Sequence, residues 1–291
     1  MNEFHIDMPT GHTTPYAVLG HPIGHTLSPL LHNTAFAHLG WKAIYLAFDV
    51  LPDRIGEVLQ AMRDMGFRGV NLTIPLKEAA FACLDRRDAS AQLVQSVNTV
   101  EFTPGGLIGH STDGDGFLRA TREAFGEGPE GRSFFVLGAG GAGRAVALTA
   151  AAAGAASVVL TDVDSDRARR VAREIRDRCQ ACEARAVPAD QAETSASACD
   201  WIVQATPLGL RPDDPLPLPP RTFHPAHRVF DLVYGRADTP TTRAAREAGA
   251  RASTGLDMLL YQGVRSFEIW TGQTPPVDLL RSVLRKAVER T

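Results

Sequence analysis

Gly138-Ala139-Gly140-Gly141-Ala142-Gly143 has the spacing G-x-G-x-x-G and is the strongest indication of a fold in this chain. The apolar run 133–137 precedes it, and the alanine-rich segment 145–153 follows it. A strand, a glycine-rich turn and a helix in this order are the context that a dinucleotide-binding fingerprint requires. Gly138 allows the tight turn, Gly140 lets the backbone approach a pyrophosphate, and Gly143 lets the helix pack closely on the strand. The sequence therefore predicts a Rossmann domain that binds a dinucleotide through Gly138, Ala139, Gly140, Gly141, Ala142 and Gly143, at the N-terminus of the helix.

The next predicted strand, 157–161, ends at an acidic residue, Asp162. A carboxylate at this position accepts hydrogen bonds from the hydroxyls of the adenine ribose and repels a 2′-phosphate. NAD is therefore the expected cofactor. Arg167 and Arg169 follow on a predicted helix, where they either form a solvated face or bind a 2′-phosphate, so NADP stays open as the alternative.

Length and composition restrict the class of protein. The 291 residues correspond to about two domains, with 44% apolar and 22% charged residues. The net charge of −3 argues against a nucleic-acid binder, and no apolar run approaches the ~18 residues of a membrane-spanning helix. Residues 1–14 lack the features of a signal peptide, and the 4 cysteines do not make a disulfide scaffold. We therefore expect a cytoplasmic protein that binds neither nucleic acid nor membranes.

Strands and helices alternate on both sides of the glycine-rich turn, which predicts an α/β fold. Apolar runs at 16–20, 43–50 and 69–73 indicate strands, and 97–102 with 107–109 indicates a hairpin. Ser28 and Pro29 begin a helical pattern, in which Ser28 is the expected N-cap. We predict two α/β domains, over 1–115 and 116–254, the second a Rossmann domain, with C-terminal helices in 255–291.

The scarcity of lysine singles out one candidate for proton transfer. Only Lys42, Lys77 and Lys286 among the 30 basic residues are lysines, and lysine, unlike arginine, can lose its proton in a protein. Lys77 follows the predicted strand 69–73, and Asp113 follows the predicted strand 107–109. A lysine and an aspartate brought together can share a proton with a substrate hydroxyl. The spacing does not show that they meet, and exposed loop charges are the alternative.

Several short motifs occur in order along almost the whole chain. They are Gly-His-Pro-Ile-Gly-His-Thr-Leu-Ser-Pro at 20–29, Val-Asn-Leu-Thr-Ile-Pro-Leu-Lys at 70–77, Ser-Val-Asn-Thr at 96–99, Thr-Asp-Gly at 112–114, Ala-Thr-Pro-Leu-Gly at 205–209, Asp-Leu-Val-Tyr at 231–234 and Gly-Leu-Asp-Met-Leu-Leu-Tyr-Gln at 255–262. Together with the glycine-rich turn, these motifs resemble the shikimate dehydrogenase family, which includes the quinate/shikimate dehydrogenases. The resemblance runs from about Tyr16 to Gly272. It implies an oxidoreductase that transfers hydride between a nicotinamide and a small cyclic hydroxy acid. It also implies that the domain over 1–115 is the substrate-binding domain, completed by the C-terminal helices in 255–291, with a cleft between it and the Rossmann domain over 116–254.

The resemblance also implies a role for each matching residue. Lys77 would be the general acid/base on the oxidised hydroxyl, with Asp113 beside it. Thr26 and Ser28 would hold the substrate carboxylate through their hydroxyls, and Tyr234 would lie near that carboxylate. The ring hydroxyls would be bound by Asn71, Thr73, Asn98 and Gln262, and the cofactor also by Thr206 and Gly255.

The chain departs from the family pattern at positions that bear on specificity. Thr26 stands where serine is usual, and its extra methyl affects the choice between shikimate and quinate. Ser111 and Gln204 each replace a usual asparagine. Thr-Asp-Val at 161–163 stands where NADP-dependent members usually carry Asn-Arg-Thr, which agrees with the charge argument for NAD.

Other candidate sites are weaker. Cys179 and Cys182 form a single C-x-x-C without further ligands, and His21, His25 and His32 lack the spacing of a metal site, so no metal is expected. The expected substrate is shikimate, with quinate or an amino-substituted shikimate as the alternative. A non-catalytic sensor on this fold is a further alternative, against which the retention of Lys77 and Asp113 argues. We expect the protein to be a monomer or a homodimer.

Overall fold

The structure is a computed structural model that describes residues 8–24, 26–211, 213–234 and 238–289. His25, one of the residues of the motif at 20–29, lies outside the described residues. The chain forms two compact units. One comprises the chain up to Asp115 together with Gln262–Lys286, and the other comprises Gly116–Tyr261 with the residues from Ala287. The second boundary lies inside a helix, later than the boundary expected at 254.

The first unit is built on a mixed six-stranded sheet. Its strands are β1 (Thr14–Gly20), β2 (Ala43–Asp49), β3 (Gly69–Leu72), β4 (Arg86–Arg87), β5 (Thr99–Thr103) and β6 (Gly106–His110), in the spatial order β2-β1-β3-β5-β6-β4. The strands β2, β1 and β3 are parallel, and β5 runs antiparallel to both β3 and β6. The hairpin of β5 and β6 is the one indicated by the sequence.

Helices pack against this sheet and contribute buried side chains to its apolar core. They are α1 (Ser28–His38), α2 (Ile55–Asp64), α3 (Leu76–Ala82), α4 (Ala89–Val94) and α11 (Val277–Glu289). On one side of the sheet, Leu19, Val70 and Val100 pack against Leu59 and Leu76, all of them buried. Burial of this apolar surface stabilises the sheet and helices that hold the polar residues described below.

The second unit is a parallel sheet in which β7 (Ser133–Leu137) and β10 (Trp201–Gln204) are the central strands. The other strands are β8 (Ser157–Thr161), β9 (Glu183–Ala186), β11 (Arg228–Asp231) and β12 (Arg251–Thr254), and the order is β12-β11-β10-β7-β8-β9. Counted from β7, this is the order 3-2-1-4-5-6 of a Rossmann fold. The helices are α6 (Gly141–Ala152), α7 (Ser165–Arg178), α8 (Ala192–Ser197) and α9 (Pro240–Glu247). The prediction of an α/β fold with a Rossmann domain is confirmed.

Two further helices continue from one unit into the other along the chain. They are α5 (Asp113–Phe125) and α10 (Leu256–Thr271). The residues 262–271 of α10 return the chain to the first unit, so this unit is assembled from two separate parts of the sequence.

The structure differs from the sequence prediction at three helix starts. Lys77 and Asp113 lie in the first turns of α3 and α5, not in loops. An acidic residue in a first helical turn is favoured by the helix dipole, which accounts for Asp113 but not for Lys77. Ser28 is the first residue of α1 and does not cap it: Leu27 occupies the N-cap position without a side-chain hydrogen bond. The Ser28 hydroxyl is therefore not consumed by capping.

Candidate active site

Strand directions bring one set of polar residues to a single edge of the first sheet. Leu19 of β1 is in register with Leu72 of β3, so the carboxyl ends of these parallel strands meet. Asn71 is paired with Thr99, and Thr99 with His110. Because β5 is antiparallel to both neighbours, its amino end and the carboxyl end of β6 lie at this same edge. The segments that follow or precede these ends carry Thr73, Lys77, Asn98 and Asp113.

Lys77 and Asp113 meet at this edge as an ion pair. Lys77 Nζ lies 2.7 Å from Asp113 Oδ2, and the two side chains are 25% and 14% exposed. Asn98 Nδ2 donates to the other oxygen, Asp113 Oδ1, at 2.9 Å. The Lys77 carbonyl in turn accepts a hydrogen bond from the Val97 N–H at 3.0 Å, which joins the start of α3 to the Asn98 segment. The two residues are thus held together and partly accessible, not dispersed as surface charges.

The amide of Asn98 is fixed by its neighbours. Its Nδ2 also lies 3.3 Å from Gln262 Oε1, and its Oδ1 accepts the Thr112 N–H at 2.7 Å. Asp113 can only accept from this amide, and the Thr112 N–H can only donate to it, so the amide has a single consistent orientation. Asn98, which is predicted to bind ring hydroxyls, therefore also directs the carboxylate of Asp113.

A buried group of hydroxyls supports the two asparagines. Ser266 Oγ lies 2.8 Å from Thr99 Oγ1 and accepts from Asn71 Nδ2 at 2.9 Å. The Ser266 hydroxyl also lies 2.9 Å from the carbonyl of Gln262, one turn earlier on α10. Sequence reasoning missed Ser266 and Thr99. Thr99 is the last residue of the motif at 96–99, and Ser266 lies four positions after Gln262, so helical spacing from a motif residue could have found it.

Thr26 and Ser28 lie at the start of α1, which follows β1 along the chain, and Thr73 directly follows β3. The Thr26 hydroxyl donates to Ser28 Oγ at 3.2 Å and accepts the Ser28 N–H at 3.3 Å. The N–H of Thr73 donates to the Leu19 carbonyl at 2.9 Å. The structure therefore brings together the two hydroxyls predicted to hold a carboxylate.

The glycine-rich turn has the geometry that a dinucleotide phosphate needs. Gly138 has a φ of +99°, and a Cβ there would lie 2.8 Å from the Ala205 carbonyl oxygen. A Cβ on Gly143 would overlap the carbonyl oxygen of Gly138. Gly140 and Gly141 face open space, where the backbone N–H groups at the start of α6 can meet an anion. The residues of the turn thus fit a bound dinucleotide.

Asp162 braces this turn. Its Oδ2 accepts the Ala139 N–H at 2.7 Å, and its Oδ1 accepts the Asp164 N–H at 2.8 Å. Arg167 Nη1 lies 3.6 Å from Asp162 Oδ1. Arg169 instead forms a surface ion pair with Asp166 at 2.8 Å, as expected for a solvated helix face.

Gln204 links the motif at 205–209 to Asp231, a buried carboxylate in the motif at 231–234. Gln204 Nε2 lies 3.3 Å from Asp231 Oδ1 and its Oε1 accepts the Thr206 N–H. Burial raises the pKa of Asp231, while hydrogen bonds such as that from Thr239 oppose the shift. The motifs that contain Thr206 and Tyr234 are thereby joined, and burial also raises the pKa of Tyr234.

Gly255 follows β12, at a position where close packing leaves no space for a side chain. A Cβ at this position would overlap the Leu232 carbonyl oxygen, and the Gly255 N–H donates to the Val233 carbonyl at 3.1 Å. The structure therefore explains the residue type at Gly255 without a ligand.

Within the described part of the chain, no group of three or more His, Cys, Asp or Glu side chains could hold a metal ion. Among the same residues, no helix has both the length and the apolar character needed to cross a bilayer.

A Rossmann unit with an acidic residue after its second strand, together with a Lys–Asp pair in a polar cluster, defines a nicotinamide-dependent oxidoreductase. The family model of the shikimate dehydrogenase substrate binding domain matches residues 18–100, and that of the shikimate 5′-dehydrogenase C-terminal domain matches residues 255–285. The shikimate dehydrogenase (NADP(+)) of Methanopyrus kandleri is 41% identical over 276 residues, which cover 94% of this chain and 95% of that protein. The chain belongs to the shikimate dehydrogenase family, as the resemblance of its motifs predicted.

Solved structures agree with this assignment. One is shikimate 5-dehydrogenase from Listeria monocytogenes in complex with shikimate and NAD, which superposes on this chain with a TM-score of 0.90 at 34% sequence identity. The match covers 96% of this chain and 99% of the Listeria chain. Quinate dehydrogenase from Corynebacterium glutamicum, in complex with NAD, has a TM-score of 0.87 at 29% identity and covers 94% of this chain and 99% of its own.

Proposed function

We propose that this protein catalyses the reversible oxidation of shikimate to 3-dehydroshikimate with a nicotinamide cofactor. The observation that carries the proposal is the contact of 2.7 Å between Lys77 Nζ and Asp113 Oδ2, because an alcohol dehydrogenation needs a group that exchanges the hydroxyl proton. The oriented amide of Asn98 beside Asp113 supports it further. The same contact argues against a non-catalytic sensor, which has no need of a proton-exchanging pair.

The chain's own residues handle the proton. Lys77 acts as the base in its neutral amine form: when the alcohol is oxidised, its O–H proton passes to Lys77 Nζ, and Asp113 stabilises the ammonium that forms. In the reverse direction, this ammonium returns a proton to the carbonyl oxygen. Asn98 keeps one oxygen of Asp113 occupied, so that the other stays directed at Lys77 Nζ. The bound nicotinamide supplies the hydride chemistry.

Substrate binding is divided among hydroxyls and amides. Thr26 and Ser28, whose hydroxyls lie 3.2 Å apart, bind the carboxylate. The ring hydroxyls are bound by Asn71, Thr73, Asn98 and Gln262. Neutral hydroxyl and amide groups of this kind orient a polyhydroxy ring through directional hydrogen bonds.

We propose NAD as the preferred cofactor. A 2′-phosphate close to Asp162 would be repelled by its carboxylate, and Val163, the residue that follows, is fully exposed and apolar. The alternative is NADP, which the name of the Methanopyrus kandleri relative gives. Arg167, whose Nη1 lies 3.6 Å from Asp162 Oδ1, could bind the 2′-phosphate of NADP.

Quinate is the second candidate substrate. Thr26 stands in the carboxylate loop where the family usually has serine, and one of the similar structures is a quinate dehydrogenase. Quinate carries an additional hydroxyl on the carbon that bears the carboxylate, which is the part of the substrate that Thr26 would face.

Initial rates with shikimate and with quinate, each with NAD⁺ and with NADP⁺, test these proposals through the absorbance of the reduced nicotinamide. We expect the highest kcat/KM with shikimate and NAD⁺. A preference for quinate would retain the mechanism and change the substrate, and a preference for NADP⁺ would refute the argument from Asp162. Folded protein that binds NADH but is inactive in all four assays would refute the proposed reaction.

A further inference from the structure

A buried tyrosine hydroxyl is hydrogen-bonded to one of the proposed substrate-binding side chains, Asn71. Tyr45, on β2, has no exposed surface. Its hydroxyl donates to Asn71 Oδ1 at 2.6 Å. Burial raises the pKa of Tyr45 well above its ordinary value, and a hydrogen bond with the Ser28 side chain opposes that shift. The Tyr45 hydroxyl therefore keeps its proton and has Ser28 and Asn71 as its polar neighbours.

Asn71 is fixed by this contact and by three others. Its Nδ2 lies 3.0 Å from Thr99 Oγ1, 2.9 Å from Ser266 Oγ and 3.1 Å from the Asn98 carbonyl. A backbone carbonyl can only accept, so Nδ2 must face Asn98 and Oδ1 must face Tyr45. Both N–H bonds of Asn71 are thus directed at protein atoms. Under the proposed function, Asn71 therefore meets a ring hydroxyl through Oδ1, the atom that accepts from Tyr45.

Helix α1 holds Tyr45 in place from two directions. The side chain of Asn33 clamps the Tyr45 backbone, with Nδ2 2.9 Å from the Tyr45 carbonyl and Oδ1 2.8 Å from its N–H. The ring of His32 stacks on the Tyr45 ring, with 4.4 Å between centroids and 16° between planes. The same helix begins at Ser28. The position of Tyr45 is therefore fixed relative to the carboxylate-binding end of α1.

We propose that Tyr45 is a positioning residue that sets the separation between the carboxylate-binding hydroxyl of Ser28 and the acceptor Oδ1 of Asn71. It acts through its hydrogen bond to Asn71 and through its contacts with α1, the helix that begins at Ser28. It touches no substrate itself, since it is fully buried. The consequence is that only a ring hydroxyl that donates to Asn71, at a fixed distance from a carboxylate, is bound well. The inference rests on the proposed function, which assigns Ser28 and Asn71 to substrate binding.

The Tyr45→Phe variant tests this inference, because it removes the hydroxyl and keeps the stacked ring and the Asn33 clamp. We expect the KM for shikimate to rise about tenfold, the effect of roughly one lost hydrogen bond, with kcat and the KM for the nicotinamide within about twofold. Tyr16→Phe is the matched control: Tyr16 is in register with Tyr45 on the neighbouring strand and is also buried. Equal effects of the two variants would overturn the proposal, because they would show a general packing loss.

A second measurement does not depend on how well the variant folds. Site-specific 3-fluorotyrosine at position 45 keeps both the ring and the hydroxyl, and the same label at position 16 is the reference. We expect the ¹⁹F resonance at position 45, but not at position 16, to shift when shikimate saturates the protein. No shift at position 45 in an enzyme that oxidises shikimate would overturn the positioning role alone. Failure of the unlabelled wild type to oxidise shikimate would instead overturn the proposed function.

Discussion

Lys77 carries its charge at an unfavourable place, the first turn of a helix. The helix dipole disfavours a cation there, and the carboxylate of Asp113 at 2.7 Å compensates it. A lysine side chain can exchange a proton with a bound hydroxyl, whereas an arginine at the same position would keep its proton. The charge at position 77 and the ability to release a proton can therefore be separated by mutation.

Replacement of Lys77 should slow turnover with little change in cofactor binding. We expect Lys77→Ala to lower kcat by about 10²–10⁴-fold, the usual contribution of a general acid/base, with the Kd for NADH unchanged. Lys77→Arg should be similarly slow because it keeps the charge without a transferable proton. Lys42→Ala is the control, since Lys42 is an exposed lysine of the same unit. Substantial turnover by Lys77→Arg would contradict proton transfer by Lys77.

The charge of Asp162 should determine the choice between the two dinucleotides. Asp162→Asn keeps an oxygen that can accept one of the two backbone hydrogen bonds now made to Ala139 and Asp164, and it removes the repulsion of a 2′-phosphate. We expect the ratio of kcat/KM for NADP⁺ to that for NAD⁺ to rise about tenfold or more, which corresponds to about 1.4 kcal/mol. Asp166→Asn, an exposed change on the following helix, should leave the ratio unchanged. An unaltered ratio in Asp162→Asn would mean that Arg167 governs the preference.

At the level of the elements, the turn between β7 and α6 depends on one close approach. A Cβ on Gly143 would overlap the Gly138 carbonyl oxygen, whereas a Cβ on Gly141 would meet nothing within 4 Å. We therefore expect Gly143→Ala to lower the free energy of unfolding by about 1–3 kcal/mol, the usual cost of overpacking. Gly141→Ala should be neutral or stabilising by about 0.4–1 kcal/mol, since it restricts the unfolded chain. Thermal unfolding of the two variants checks this, and equal midpoints would refute the role of the contact.

The sequence predicts those elements whose residue pattern lies within one short stretch of the chain. The strand, glycine-rich turn and helix at 133–152 follow one another directly, and the hairpin of β5 and β6 is closed by a short glycine-containing turn. The helix starts at Lys77 and Asp113 were missed because Pro75 and Gly114 resemble breaks in a helix. Tyr45 and Ser266 were missed for another reason: their contacts with Asn71 join residues 26 and 195 positions apart. Such pairs exist only once the sheet and α10 are assembled.

For the whole molecule, two buried histidines should make stability sensitive to acid. Burial lowers the pKa of His32 to about 3 and that of His227 to about 4, the latter also because of the neighbouring His224. Above about pH 6.5, histidines are neutral in both the folded and the unfolded chain, so neither residue contributes. As the pH falls from there towards 4, the unfolded chain binds protons that the folded chain does not. Stability then falls by up to about 1.4 kcal/mol per pH unit for each histidine.

The His227→Gln variant isolates one of these contributions. The Nδ1 atom of His227 accepts a hydrogen bond from the backbone N–H of His224, and the side-chain oxygen of a glutamine can accept the same hydrogen bond. We expect the variant to lose less stability between pH 7 and pH 5 than the wild type does, by chemical denaturation at both pH values. His12→Gln, at an exposed position, should behave like the wild type. A loss in His227→Gln equal to that of the wild type would contradict the assignment.

The first unit takes its last part from residues 262–286, after the entire strand set of the second unit. A chain emerging from the ribosome therefore completes β7 to β12 before it supplies Gln262 and Ser266. Until then, the amides of Asn98 and Asn71 lack these two partners. Because domains fold as units during synthesis, the nucleotide-binding unit can mature first, although it is encoded second. A nascent chain whose residues up to 261 have emerged from the ribosome would thus hold all six strands of the dinucleotide fold beside an unfinished first unit.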